Sequence, residues 1–280
     1  MKRFSRGLLC LCLTLALLPA ALPRAAAEDP APPEVRVYVD GLLRLRGFDC
    51  GGTLYLSAAE LCTVFALPFE AALGPSGYTL RLSAFELSAP ADGEVLTASG
   101  RYLYCPGGYR VIGERVCFPA DVIERLFGLS FRLEGRRADT DTSRFRLLQG
   151  GTDYYTTHFP ADDLFWLSHI IYSESHWEPL AGMIGVGNVV LNRVADDAFP
   201  SSIMLVVLDR ENRIQFSPVE TGEVLAEPDE IAVIAACLVL EGYNTVGDSL
   251  FFVNPDRADD TWFRNKLTPT VTIGHHHFYS

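Results

Sequence analysis

The chain has 280 residues, 49% of them hydrophobic, and its formal net charge is −12. This length can bury one large core or two modest ones, and the sequence pattern favours two. Because nucleic-acid binding is driven mainly by neutralising phosphates, so acidic a chain without a basic stripe excludes nucleic acid as a partner.

The first 27 residues have the three-part organisation of a secretory signal peptide. Cations lie near the start, an apolar run of 15 residues covers 8–22, and small residues precede Glu28. A helix needs about 20 apolar residues to cross a bilayer, so cleavage after Ala27 is favoured over an uncleaved anchor. Cleavage removes four cations and lowers the net charge from −12 to −16. We therefore expect a secreted product without stable membrane insertion.

Five cysteines remain after this cleavage, and disulfides are chemically permitted outside the membrane. The four in the first half, Cys50, Cys62, Cys105 and Cys117, allow three pairings, among which the sequence does not choose. Cys237 lies in an apolar helical segment, where a buried free thiol is the commoner state.

The first half is predicted to be a duplicated α+β domain. Residues 35–39 alternate as a strand, and the following Asp-Gly pair predicts a hairpin turn. At an offset of 62 residues, the segment around Leu56 matches the segment around Phe118. Each segment predicts a strand, a short amphipathic helix and a second strand, so we expect two small modules packed together. Neither module shows a catalytic cluster.

The second half is predicted to be mostly helical, so the fold class is α+β with two domains. Helices are expected at 161–176, 180–194, 201–208 and 228–242, with short strands at 249–253 and from 270. The predicted boundaries are a signal peptide at 1–27, a tether at 28–34, the duplicated domain at 35–140, a linker at 141–160 and the helical domain at 161–280.

Two glutamates extend the apolar face of the first of these helices. Successive helical residues rotate by about 100°, which places Leu167, Ile171, Glu174 and Glu178 on one stripe. Surface helices keep carboxylates on the opposite face, so Glu174 is predicted to enter the interior or a cleft floor. Burial raises a carboxyl pKa, as a general acid near neutral pH requires. Periodicity equally allows a helix that has frayed before Trp177 and leaves Glu174 in water.

Other polar residues lie in unusual places. Asn188 and Asn192 are one turn apart in a helix otherwise rich in valine and leucine. Buried amides need partners, which a sugar or a neighbouring loop can supply, and the loop is the commoner partner. Gln215 with Phe216, and Asn254 before a proline, suit a saccharide groove and a turn equally well.

Three consecutive histidines begin at His275. Alternate strand residues point to opposite faces, so at most His275 and His277 share one ion, and zinc sites usually combine ligands from separate elements. We predict neither a metal nor a cofactor.

Several motifs follow one another across residues 162–280. They are IYSE, EP, VGNVVLNRV, FP, QFSP, FVNP and IGHHHFY. Together they resemble the SleB/CwlJ-type cell wall hydrolase domain known from spore cortex-lytic enzymes. The resemblance implies a lysozyme-like helical domain with a short β-hairpin. It also implies a location in the cell envelope or the spore wall.

The resemblance assigns roles to residues of these motifs. It implies that Glu174 is the acid and then the base of lytic transglycosylation, which cuts peptidoglycan glycan strands after N-acetylmuramic acid. We expect substrate contacts from Glu178, Asn188, Asn192, Gln215, Phe216, Asn254, His276 and Tyr279. For Glu178, holding a loop is the alternative. Many members of the family have a small residue and arginine after the glutamate, whereas this chain has Ser175, His176 and Trp177. Trp177 is expected either to stack on a sugar or to be buried.

The first half more loosely resembles the copper amine oxidase N-terminal-like domain, whose duplicated units are often fused to such hydrolases. It has no copper ligand set, so wall binding or a spacer role is expected. Two other functions remain open for the whole chain. One is an amidase that separates muramic acid from the stem peptide, and the other is a wall-binding protein without catalysis.

Overall fold

The computed structural model describes residues 31–83, 85–209 and 216–280. Residues Pro33–Ser280 form one compact unit by their contacts. The signal peptide expected at 1–27 lies outside the described residues. Within them, no helix is long and apolar enough to cross a membrane.

The first half contains two antiparallel-rich sheets. The strands are β1 (Glu34–Val39), β2 (Leu42–Cys50), β3 (Thr53–Leu56), β4 (Glu70–Gly74), β5 (Gly77–Leu82), β6 (Phe85–Pro90), β7 (Val95–Ala98), β8 (Arg101–Tyr104), β9 (Arg110–Ile112), β10 (Arg115–Pro119), β11 (Arg132–Glu134) and β12 (Arg137–Thr140), and the helices are α1 (Ala58–Val64) and α2 (Ala120–Phe127). Seven strands form one sheet in the order β11-β12-β1-β2-β3-β10-β9, and β4 to β8 form the other as a meander of five consecutive strands.

The first predicted hairpin is confirmed. β1 buries Val35, Val37 and Val39 on one face, and β1 and β2 pair antiparallel. Asp40 and Gly41 both have positive φ, 50° and 75°, the combination that a tight hairpin turn requires.

The duplication is present locally but does not form two equal modules. Both copies have a strand followed by a helix and a second strand, namely β3-α1-β4 and β10-α2-β11. The matched positions Leu56 and Phe118 face each other where β3 pairs with β10. The second strands differ, since β4 starts the five-stranded sheet and β11 lies at the edge of the other sheet. The expectation of two small modules packed together therefore differs from the observed sheets.

The five cysteines of the described residues are all free thiols, so none of the three possible pairings forms there. Cys62, Cys105, Cys117 and Cys237 are buried. Burial raises the pKa of the Cys117 thiol to about 12, which makes it a poor nucleophile.

The second half packs helices against a small sheet. Its elements are α3 (Tyr154–His158), α4 (Ala161–Ser175), α5 (Leu180–Ala195), α6 (Ile203–Val207), α7 (Ser217–Thr221), α8 (Glu230–Leu240), α9 (Thr261–Lys266), β13 (Phe251–Val253), β14 (Pro269–Ile273) and β15 (His276–Tyr279). The sheet order is β13-β15-β14, so the expected hairpin is extended to three strands. The four predicted helices are confirmed within a few residues at each end.

Small residues allow α5 to pack tightly in the centre of this half. A Cβ atom added to Gly187 would lie 2.8 Å from Val239 of α8 and 2.9 Å from Ile171 of α4. At Gly185 it would lie 2.7 Å from Val246. Helix α5 therefore approaches both neighbours more closely than a larger side chain would permit.

The two halves meet through a part-buried ion pair. Arg101 of β8 donates from Nε to a carboxylate oxygen of Glu241, 2.8 Å away, and from Nη2 to the other oxygen. The backbone N–H of Tyr102 donates to the Tyr155 hydroxyl at 2.7 Å. Tyr155 belongs to the segment predicted as a linker at 141–160, and this segment contains α3. The segment thus packs on the first half.

Candidate active site

Glu174 lies in the last turn of α4, and the buried residues Leu167, Ile170 and Ile171 anchor this helix in the core. The Glu174 side chain is mostly buried, yet it makes no hydrogen bond or ion pair with the residues that the structure describes. Burial raises the pKa of Glu174 to about 7, the charge of Arg193 opposes this rise, and the charge of Glu223 adds to it. A carboxyl with this pKa is protonated for a large fraction of the time at neutral pH, as general acid catalysis requires.

Arg193 lies in the last turn of α5, and its charge lowers the pKa of Glu174. Its side chain is buried, and its Nε donates to the carbonyl of Leu250 at 2.8 Å. Burial lowers the pKa of Arg193 to about 10, so the guanidinium remains charged at neutral pH. The charges of Asp209 and Glu174 favour this charged form.

The Arg193 guanidinium is also surrounded by rings. Its central carbon lies 5.1–5.4 Å from the ring centres of Phe199, Phe216 and Phe251. Its Nη1 atom is buried without a hydrogen-bond partner in the described part of the chain. Sequence reasoning assigned Arg193 no role, although an arginine among valines and leucines was the available signal.

Glu178 does not continue the helical stripe with Glu174. Helix α4 ends at Ser175, and Pro179 disfavours helical backbone at the residue before it. The carboxylate is buried instead against the turn before β15. It accepts the N–H of His275 at 2.9 Å and contacts the His275 Nδ1 atom at 3.1 Å.

This turn leaves room for glycine alone. Gly274 has a φ of +57°, and a Cβ atom there would lie 1.9 Å from the Glu178 Oε2 atom. The geometry therefore gives Glu178 the loop-holding role that was one of its two predicted functions.

The two predicted asparagines both hold the segment between α8 and β13. The Asn188 amide donates to the carbonyl of Tyr243 at 2.7 Å and accepts the N–H of Thr245 at 3.0 Å. The Asn192 amide donates to the carbonyls of Gly247 and Ser249 at 2.8 and 2.9 Å. Both polar atoms of the Asn188 amide and the amide nitrogen of Asn192 bond to this segment, which favours the loop-capping interpretation of these two residues.

Three residues expected to line the groove are buried. Phe216 and Tyr279 belong to the core, and Phe216 packs beneath Arg193. His276 lies against Phe252 with 5.0 Å between ring centres, and burial lowers its pKa. The pattern of the sequence does not show which side of β15 faces the core. Gln215 lies outside the described residues.

Asn254 forms a turn that positions the residues after β13. Its side-chain oxygen accepts the N–H of Asp256 at 3.0 Å, and its carbonyl accepts the N–H of Arg257 at 3.1 Å. The Arg257 guanidinium lies over the ring of Trp177, 4.4 Å from its centre. Trp177 is 48% exposed, so it is not a core residue.

Metal ligation finds no support in the described residues. They contain no group of three or more histidine, cysteine, aspartate or glutamate side chains arranged to hold an ion. His275 is engaged with Glu178, and His276 is buried.

Comparisons with known proteins find similarity in the second half. Residues 177–279 match the family model described as Cell Wall Hydrolase. The matched segment begins three residues after Glu174. A spore cortex-lytic enzyme of Bacillus cereus is 30% identical over 43% of this chain and 45% of its own length, and one of Bacillus subtilis is 29% identical over 43% and 38%. The chain thus spans less than half of these relatives. The solved catalytic domain of the germination-specific lytic transglycosylase SleB from Bacillus anthracis is 28% identical over 44% of this chain and 98% of that chain, with a TM-score of 0.40.

Proposed function

We propose that this chain, whose C-terminal region carries a cell wall hydrolase domain, is a secreted lytic transglycosylase that cleaves peptidoglycan glycan strands. The observation that carries the proposal is Glu174. This carboxyl is mostly buried, lacks a hydrogen-bond partner among the described residues, and has its pKa raised to about 7. The relatives named as spore cortex-lytic enzymes support spore cortex as the substrate.

One carboxyl performs both proton transfers of this reaction. Glu174 donates its proton to the glycosidic oxygen while the bond from that oxygen to the muramyl anomeric carbon breaks. The muramyl 6-hydroxyl oxygen then bonds to the same carbon, and its proton returns to the Glu174 carboxylate. The products are a 1,6-anhydromuramyl end and a free hydroxyl on the departing sugar, and Glu174 is regenerated.

The surroundings of Glu174 support a route without a second carboxylate. A retaining glycosidase needs a carboxylate nucleophile about 5 Å from its acid. Glu178 is unsuited to this role because its carboxylate is buried and bonded to His275. Glu223 is exposed and raises the pKa of Glu174, so it is the carboxylate to test.

Mass spectrometry of released fragments tests the proposal. The mature protein would be incubated with isolated spore cortex and with vegetative peptidoglycan, beside Glu174→Gln and the matched control Glu223→Gln. We expect anhydromuramyl ends from the wild type and from Glu223→Gln, and a loss of about 10³-fold for Glu174→Gln. Reducing muramic ends would indicate hydrolysis instead.

The same experiment addresses the two other functions. Free stem peptides, lost on adding a chelator, would indicate a zinc-dependent amidase. Wall binding that is unchanged in Glu174→Gln, with no fragments from any of the proteins, would indicate a wall-binding protein. We further propose that the first half, with its likeness to the copper amine oxidase N-terminal-like domain, binds the wall or acts as a spacer.

A further inference from the structure

A cluster of side chains extends outward from the helix end that carries Glu174. The rings of Tyr172 and His176 are stacked 4.8 Å apart, and those of His176 and Trp177 meet edge to face 3.7 Å apart. The Arg257 guanidinium completes the cluster, 4.4 Å from the centre of the Trp177 ring. Trp177 follows Glu174 by three residues, so the cluster lies next to the proposed catalytic group along the chain.

Two separate elements bring this pair together. Trp177 lies in the turn between α4 and α5, and Arg257 follows β13. The Asn254 turn fixes the backbone of Arg257, because the Asn254 carbonyl accepts the N–H groups of both Arg257 and Ala258. Stacking on an indole restricts a guanidinium further, so the fork of N–H donors is held in one orientation.

The donors of Arg257 are not used within the described structure. Arg257 is exposed, and it forms no ion pair or side-chain hydrogen bond with the described residues. Arg264, on the following helix, is paired with Asp260 at 2.7 Å.

We propose that Arg257, held by Trp177, binds a carboxylate carried by the muramyl unit of the glycan strand. Guanidinium and carboxylate match as a bidentate pair, which adds both affinity and selectivity. The carboxylate has two sources in peptidoglycan, namely the attached stem peptide and the lactyl group that remains when the peptide is removed. The inference rests on the proposed function, since it specifies which glycan that site prefers.

The test compares three substrates made from one batch of glycan strands. The first keeps its stem peptides, the second has lost them to an amidase and exposes lactyl carboxylates, and the third is the second with those carboxylates converted to neutral methylamides. The kcat/KM of fragment release would be measured on each for the wild type, Arg257→Gln and the matched control Arg264→Gln.

We expect the wild type and Arg264→Gln to cleave the neutral strands about tenfold less efficiently than at least one charged substrate, through KM. The substrate that keeps the advantage identifies the source of the carboxylate. Arg257→Gln should cleave all three equally well, at the rate of the wild type on neutral strands. Trp177→Leu, which frees Arg257, should lose about threefold on charged strands.

Other outcomes separate the inference from the proposed function. If Arg257→Gln shows the same preference as the wild type, the inference is overturned while glycan cleavage stands. If the wild type releases no glycan fragments from any of the three, the proposed function fails and the inference with it.

Discussion

Glu174 and Glu241 are both shielded carboxylates at the ends of helices, but their surroundings differ. At the junction of the two halves, both oxygens of Glu241 accept hydrogen bonds from Arg101, and its side chain is 5% exposed. At the end of α4, Glu174 has no hydrogen-bond partner among the described residues, and the charges of Arg193 and Glu223 act on it. A buried carboxylate that has no partner among the described residues costs stability, so the burial of Glu174 is more easily explained by function than by folding.

The largest loss of stability that tests this contrast between Glu174 and Glu241 is expected from a substitution of Glu241. Glu241→Gln removes the charge that pairs with the shielded Arg101 guanidinium. We expect the free energy of unfolding to fall by about 3 kcal/mol, since removing one partner leaves the other charge buried. Urea denaturation monitored by circular dichroism would measure it. An unchanged midpoint would mean that the junction does not depend on this ion pair.

The opposite sign is expected at Glu174. Its pKa is about 7 in the folded protein and ordinarily 4.5, so ionisation destabilises the fold as pH rises from 4.5 through 7. Glu174→Gln removes this cost and should raise the free energy of unfolding by about 3 kcal/mol at pH 8. At pH 4 both states bind the proton, so the gain should vanish. A loss of stability at pH 8 would contradict the assignment.

The pH dependence of catalysis tests the raised pKa of Glu174. The acid must carry its proton, so kcat/KM should fall about tenfold per pH unit above pH 7. The charge of Arg193 lowers the pKa of Glu174, so Arg193→Gln should move this decline to higher pH. Rates of fragment release between pH 5 and 9 would show it. A decline that starts near pH 4.5 would mean that Glu174 is hydrated like a surface carboxyl.

The smallest effect is expected at a third shielded carboxylate. Glu178→Gln keeps an acceptor for the N–H of His275 but loses the charge that faces the His275 ring. We expect a loss of about 1 kcal/mol in the free energy of unfolding, and cleavage rates within twofold of the wild type. A loss of activity comparable with that of Glu174→Gln would place Glu178 in the chemistry instead of in the loop.

Local patterns in the sequence predicted much of the fold. The alternation in β1, the Asp40-Gly41 turn and the helix of small residues at α5 each follow from neighbouring residues, and each is present. The sheets were less accessible, because β4 and β11 occupy equivalent places in the repeat and yet join different sheets. Pairing between distant strands depends on contacts that a local pattern does not contain.

The candidate site shows the same limit. Helical periodicity correctly predicted that Glu174 faces the interior. It also placed Glu178 on the same helical stripe, although the helix ends at Ser175. It did not reveal that Asn188 and Asn192 are occupied by the loop after α8. The contact between Arg257 and Trp177 joins residues 80 positions apart in the chain, and a short sequence motif cannot predict such a contact.

The Arg101–Glu241 contact has a geometric consequence for an enzyme that works on an insoluble polymer. A catalytic domain on a loose tether explores a volume around its anchor and cuts wherever it meets a bond. Here the second half is joined to the first through a part-buried ion pair and the Tyr102–Tyr155 hydrogen bond. Should the first half hold the wall as proposed, Glu174 can reach only bonds at a fixed offset from the anchoring point, and cuts in an ordered wall would then be evenly spaced.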